Sequence, residues 1–269
     1  MSDFAAILAR LGLPMAAKLA QPRVASLFGS YVAPAEFFGY PPALIPIFSE
    51  FGLPSYLGLW KHWFVARTPS FVTMDVRRDH LVEEIARNES QLSARMVLEL
   101  MVLNDGIDAE VRGLAETLNV GEFALRQIDK FSEAYGDDFE ELAKLPDFRS
   151  VTPRECADPK LYDGEFPTPK RLDFERQCYF EFDPDLLAEI SDLPAWIDPT
   201  TEKPPLFRQF VNAGDYAHAW LTLNGTGWFF DDAAKAMARL KADQPDDPVF
   251  QQVAECWIAN ATGRGRAGY

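Results

Sequence analysis

The stretch that decides the fold runs from Leu44 to Asp75 and reads LIPIFSEFGLPSYLGLWKHWFVARTPSFVTMD. Its short apolar runs are rich in β-branched and aromatic residues, which is typical of strands. Gly52, Pro54 and Thr68–Pro69 separate the runs and are typical of turns. The stretch therefore predicts a small antiparallel sheet. Its three or four strands are expected at residues 44–49, 55–60, 62–66 and 70–75.

Helical spacing follows Arg78, because apolar residues there recur three, four or seven positions apart. One long helix is predicted to end at 104–106, and its stripe consists of Leu81, Ile85, Leu92, Met96, Leu100 and Leu103. Further helices are expected at 109–118 and 122–135. Two helical hairpins follow near the C-terminus, with Asp215 and Asp247 as capping residues. Residues 263–269 are expected to be frayed.

These patterns predict the α+β fold class: a small N-terminal antiparallel sheet with helices, followed by a mainly α-helical C-terminal region. A chain of 269 residues with 48% hydrophobic residues can bury a substantial core. Four parts are expected. They are a small α+β domain at 1–77, a helical region at 78–150, an irregular acidic connection at 151–203 and helical hairpins at 204–269.

Charge is distributed unevenly along the chain. The 26 Lys and Arg residues against 41 Asp and Glu residues give a net charge of -15. Residues 1–77 carry a net charge of +2, so the remainder carries -17. An acidic protein is repelled by nucleic-acid phosphates and anionic membranes, so neither is an expected partner. The charge favours a basic protein partner.

Acidic residues are interleaved with large aromatic residues in the second half of the chain. Such a pairing is typical of an apolar anchor surrounded by steering charge, whereas a plain solvated acidic face is the alternative. The candidate partner-binding residues are Asp137, Asp138, Phe139, Glu140, Glu141, Asp183, Asp185, Asp192 and Trp196.

An enzyme with a spatially assembled site is one alternative to a binding protein. His80 precedes Glu83 and Glu84 at helical spacing, which could begin a metal site or simply form a surface ion pair. His62 is interpreted as a packed or hydrogen-bonded residue and His218 as a hairpin residue. The sequence contains no nucleophile elbow and no phosphate-binding glycine loop. We therefore assign no catalytic residue, metal or cofactor. A helical scaffold built from residues 215–258 is a further alternative.

The cysteine pattern predicts the compartment. Cys156, Cys178 and Cys256 are odd in number and far apart, which favours reduced thiols. The N-terminus lacks the charge pattern of a secretory leader, and no run of apolar residues is long enough to cross a membrane. We expect a cytoplasmic protein.

Residues 41–77 resemble the sheet region of the SUKH superfamily. In that family a segment of Leu-Ile-Pro, a turn with Gly, Tyr-x-Gly-Leu and Trp crosses the central strands, and the chain has these residues at 44–46, 52, 56–59 and 60. Many bacterial members are immunity proteins that neutralise toxins by binding them. The resemblance implies a binding protein and, more specifically, an immunity protein that occupies the surface of a toxin. The charge of the chain favours a basic toxin.

Overall fold

The computed structural model describes residues 4–32, 39–50, 54–66, 68–78, 80–148 and 193–269. The strands are β1 Tyr31–Val32, β2 Leu44–Glu50, β3 Ser55–Trp60, β4 Ser70–Asp75 and β5 Leu81–Ala86. The helices before the long undescribed segment are α1 Phe4–Arg10, α2 Pro14–Leu19, α3 Pro22–Ala25, α4 Glu89–Leu103, α5 Ala109–Thr117 and α6 Glu122–Tyr135. Those after it are α7 Lys203–Asn212, α8 Tyr216–Asn224, α9 Phe230–Asp243 and α10 Pro248–Ala261.

The strands form one antiparallel sheet in the order β1-β2-β3-β4-β5, so each strand pairs with the one that follows it in the chain. The predicted strands at 44–49, 55–60 and 70–75 are confirmed. Residues 62–66 do not form the expected strand and lie in the bend between β3 and β4. The α+β fold class is thus observed, with a five-stranded sheet followed by mainly helical chain.

The prediction of one long helix from Arg78 is wrong at its beginning. Residues 81–86 form β5, which pairs with β4 through Met74↔Val82 and Asp75↔Leu81. Leu81 and Ile85 fit the predicted helix because a spacing of four residues agrees with the period of a strand as well as with that of a helix. The helix begins only at Glu89, where the Asn88 side chain accepts a hydrogen bond from the backbone N–H of Gln91.

Both faces of the sheet are buried, and side chains alternate between them along each strand. In β3, Leu57 and Leu59 face a first core, while Tyr56 and Trp60 face a second core. The first core is completed mainly by the N-terminal helices and α4–α6. Its helical residues include Ile7, Leu19, Leu92, Met96, Leu125 and Phe131.

The C-terminal helices complete the second core. Val72, Met74 and Val82 of the sheet share this core with Phe207, Trp220, Met237 and Trp257. Hydrogen bonds reinforce the contact, because the Asn224 side chain accepts from the Ala43 backbone N–H at 2.6 Å. The sequence predicts that residues 1–77 and 204–269 belong to different units. The described parts of both ranges contribute to one hydrophobic core.

The expectation of a frayed segment at 263–269 is also wrong. Tyr269 is only 7% exposed, and its backbone forms hydrogen bonds with Trp228 in both directions. Gly268 pairs with Phe229 in an isolated antiparallel bridge. An aromatic side chain docked in the second core holds this segment against the loop before α9.

Within the described ranges, no helix combines the length and the apolar character that crossing a bilayer requires.

Candidate functional site

The C-terminal end of α6 carries the first group of predicted partner-binding residues. The helix buries Leu125, Ile128 and Phe131 on one face, and it ends at Gly136, whose φ of 61° suits a glycine. Tyr135, the last helical residue, is 37% exposed. The acidic residues that follow Gly136 are therefore adjacent in the chain to a partly exposed aromatic residue.

Asp137 and Asp138 lie immediately after this helix end and are both exposed. The C-terminus of a helix bears a partial negative charge, so carboxylates next to it are electrostatically unfavourable. The last turn of α6 itself contains no basic residue. The two aspartates therefore occupy positions where they lower the stability of the helix. We name Tyr135, Asp137 and Asp138 the acidic helix end.

A short 3₁₀ helix, Phe139–Lys144, continues from the acidic helix end. Its Glu141 forms an ion pair with Lys144, and the Lys144 ammonium lies 4.1 Å from the centroid of the Tyr135 ring. The hydrogen bond to Glu141 and the contact with Tyr135 both raise the pKa of Lys144. Glu141 is thus neutralised within the chain, and Lys144 positions the tyrosine ring by a cation–π contact.

The remaining predicted partner-binding residues do not join this group. The backbone of Phe139 and Glu140 belongs to the short 3₁₀ helix, but their side chains lie outside the described part of the structure, as do Asp183, Asp185 and Asp192. Trp196 is 3% exposed and packs with Ile197 and Leu221 in a small separate cluster. Trp196 is therefore a core residue, and its side chain is not exposed for contact with a partner.

His80 does not have the helical relationship to Glu83 and Glu84 on which the metal-site alternative depended. It precedes β5 with a φ of 62°, and in a strand Glu83 and Glu84 project to opposite faces. Glu84 is buried and forms an ion pair of 2.6 Å with Arg87. The described residues contain no group of three or more His, Cys, Asp and Glu residues that could hold a metal ion.

The other two histidines occupy structural positions, as their sequence contexts indicate. The indole N–H groups of Trp60 and Trp220 each lie 3.0 Å from a ring nitrogen of buried His62, which links β3 to α8. His218 lies 2.8 Å from the capping residue Asp215 and stacks on Phe210 at 5.2 Å between ring centroids.

A buried lysine was missed by the sequence analysis. Lys203 begins α7 and is 1% exposed, and its ammonium donates to the backbone carbonyls of Trp196 at 3.0 Å and Asp198 at 2.7 Å. Burial lowers the pKa of Lys203 to about 8. The lysine closes the loop at 196–198 onto the first turn of α7. No motif in the sequence distinguishes it from a surface lysine.

The sequence analysis also missed a cleft of about 380 Å³ between α7 and α9. Phe207 and Trp228 form part of its wall, and Arg208, Lys235 and Arg239 line its rim. The sequence predicts both helical segments but carries no signal that they face each other across a cleft.

A comparison of the chain with protein-family models, with curated proteins and with solved structures found no match. The resemblance of residues 41–77 to the SUKH superfamily therefore stays a prediction.

Proposed function

We propose that this chain is a binding protein that docks a basic protein partner on its acidic helix end. The SUKH resemblance makes this proposal more specific. The partner is then a toxin, and the chain is the immunity protein that occupies the toxin's surface. The observation that carries the proposal is the exposure of Asp137 and Asp138 at a position that destabilises α6. Cationic side chains of a partner would offset both carboxylates and the negative end of the helix.

The surrounding helical region supports the same interpretation. Residues 104–148 contain twelve Asp and Glu residues against four Lys and Arg residues, a net charge of -8. Such a field accelerates the encounter with a positively charged protein. Tyr135 supplies a partly exposed aromatic ring within the acidic helix end, and tyrosine is enriched among residues that anchor interfaces.

The experiment measures the affinity of one basic partner for the wild-type chain and for two double variants that each remove two negative charges. A basic partner is isolated from native cells with the full chain as bait, and its affinity is then measured by calorimetry at several salt concentrations. The test variant is Asp137→Asn with Asp138→Asn. The control is Glu116→Gln with Asp246→Asn, which removes the same charge from two exposed acidic residues elsewhere.

The proposal predicts that the test variant binds about 3- to 30-fold more weakly, that the control stays within about twofold of wild type, and that salt weakens wild-type binding. Equal losses in both double variants would show that only the net charge matters. Binding that salt does not weaken would also contradict docking through the acidic helix end.

A further inference from the structure

The cleft between α7 and α9 has a preformed aromatic wall. Phe207 and Trp228 are buried and meet edge to face, with their ring centroids 5.9 Å apart. The indole N–H of Trp228 donates to the carbonyl of Thr222 at 2.7 Å, which fixes the orientation of the ring. Val211 from α7 and Ala236 from α9 continue the apolar lining. Because the wall is fixed by internal contacts, a ligand need not order it on binding.

The rim of the cleft is cationic although the chain is acidic. Lys235 donates to Asp232 and Arg239 donates to Asp243, each at 2.8 Å. Arg208 is exposed at the rim and makes no hydrogen bond or ion pair with any residue in the described ranges. Lys235 and Arg239 thus each have a carboxylate partner, whereas Arg208 has none within the described ranges.

We propose that this cleft binds a small amphiphilic monocarboxylate, with an apolar body against Phe207 and Trp228 and its carboxylate on Arg208. A guanidinium binds a carboxylate through two parallel N–H···O bonds, which makes an unpaired arginine beside an aromatic wall suited to such a ligand. Asn212 lies one helical turn after Arg208 and also lines the cleft, so its amide can donate a further hydrogen bond.

The volume and charge of the cleft narrow the class of ligand. A space of about 380 Å³ lies at the small end of the range typical of ligand sites and accommodates one aromatic ring with a short acyl chain. A single arginine without a carboxylate partner in the described ranges suits one carboxylate of a ligand. The site is separate from the acidic helix end, so it goes beyond the proposed docking function.

The test uses the full chain and 3-phenylpropionate as the probe. Binding is followed by calorimetry and by the indole N–H signals of the ¹⁵N-labelled protein. We expect the Trp228 signal to shift, the neutral amide of the probe to bind at least about tenfold more weakly, and Arg208→Gln to weaken binding of the acid by about tenfold or more. Arg23→Gln is the matched control, because Arg23 is exposed on α3, which packs on the first core.

Several results would overturn the proposal. They are the absence of probe binding, equal affinities for the acid and its amide, or an Arg208→Gln variant that binds like wild type. Tighter binding of 3-phenylpropylphosphonate than of the carboxylate would contradict the preference for a monoanion.

Discussion

The phenol of Tyr269 donates a hydrogen bond of 2.6 Å to the backbone carbonyl of Leu223, in the last turn of α8. This contact joins two positions 46 residues apart, and both residues are buried in the second core. Carbonyls in the last turn of a helix lack intrahelical partners, so the tyrosine satisfies an acceptor that water cannot easily reach. Tyr269, at the end of the segment 263–269, is thereby part of the folded core.

Removal of this hydroxyl group should destabilise the protein measurably. Tyr269→Phe leaves the Leu223 carbonyl buried without its donor, and we expect a loss of about 1–3 kcal/mol in the free energy of unfolding. Tyr269→Ala should cost about 3–5 kcal/mol because it also opens a cavity. Urea denaturation measures both values. Equal stability of the Phe variant and wild type would show that the hydrogen bond has no net effect.

Two glycine substitutions should have opposite effects. A Cβ atom at Gly268 would lie 1.8 Å from the carbonyl oxygen of Trp228, so Gly268→Ala must displace backbone and should cost at least about 2 kcal/mol. At Gly113 in α5, a Cβ atom meets nothing within 4 Å. Gly113→Ala should therefore stabilise the protein by about 0.5–1 kcal/mol through helix propensity. Thermal unfolding of the two variants under identical conditions compares these effects. The same sign of change in both would contradict the described backbone contacts.

Buried titratable groups should produce a stability maximum in alkaline solution. Burial lowers the pKa of Lys203 to about 8 from 10.5. Between these pH values the unfolded chain holds a proton that the folded chain has released, so the free energy of unfolding should rise with pH, by about 2 kcal/mol between pH 8 and 10. Burial raises the pKa values of Tyr40 and Tyr269, so above about pH 10 the unfolded state loses these protons first and stability should fall.

Lys203→Met tests the assignment of this pH dependence to one residue. The variant should lose the rise in stability between pH 8 and 10 and keep the fall above pH 10, as measured by urea unfolding at a series of pH values. A wild-type-like rise in the variant would assign the effect to another group. Lys235→Met, at an exposed lysine on α9, is the control and should keep the rise.

The acidic helix end should also show its electrostatic cost in the absence of any partner. Neutralisation of Asp137 and Asp138 by asparagine removes repulsion from the negative end of α6. We expect the free energy of unfolding to increase by about 0.3–1 kcal/mol at low ionic strength and the difference to shrink in 1 M salt. A less stable variant at low salt would contradict the argument that these positions are unfavourable for carboxylates.

Local patterns predicted much of the fold. The strands β2, β3 and β4 and the helix α6 were visible in short apolar runs and helical stripes, because their periodicity and turn residues act within a few positions. β5 was missed because pairing with β4 determines its conformation. Tyr269 was assigned to a frayed segment because the partner of its hydroxyl group lies 46 residues earlier. Long-range contacts of this kind leave no local periodicity.

The acidic helix end and the cleft also differ in how far local sequence predicts them. Asp137 and Asp138 were predicted because neighbouring acids are visible in a sequence, and a helix end keeps sequence neighbours together. The cleft depends on Arg208 of α7 facing α9, and that relationship arises only from tertiary packing. The unfavourable position of the two aspartates likewise becomes apparent only when the end of α6 is located at Tyr135.

The sheet that is buried on both faces has a consequence for the order of folding. Trp60, Val72 and Met74 are covered by helices that begin at Lys203, more than 120 residues after β4. During synthesis this face of the sheet is made long before its cover, so nascent chains expose a broad aromatic surface. Such delayed, non-local closure slows folding and favours aggregation of intermediates, which makes chaperone dependence an expected property of this protein.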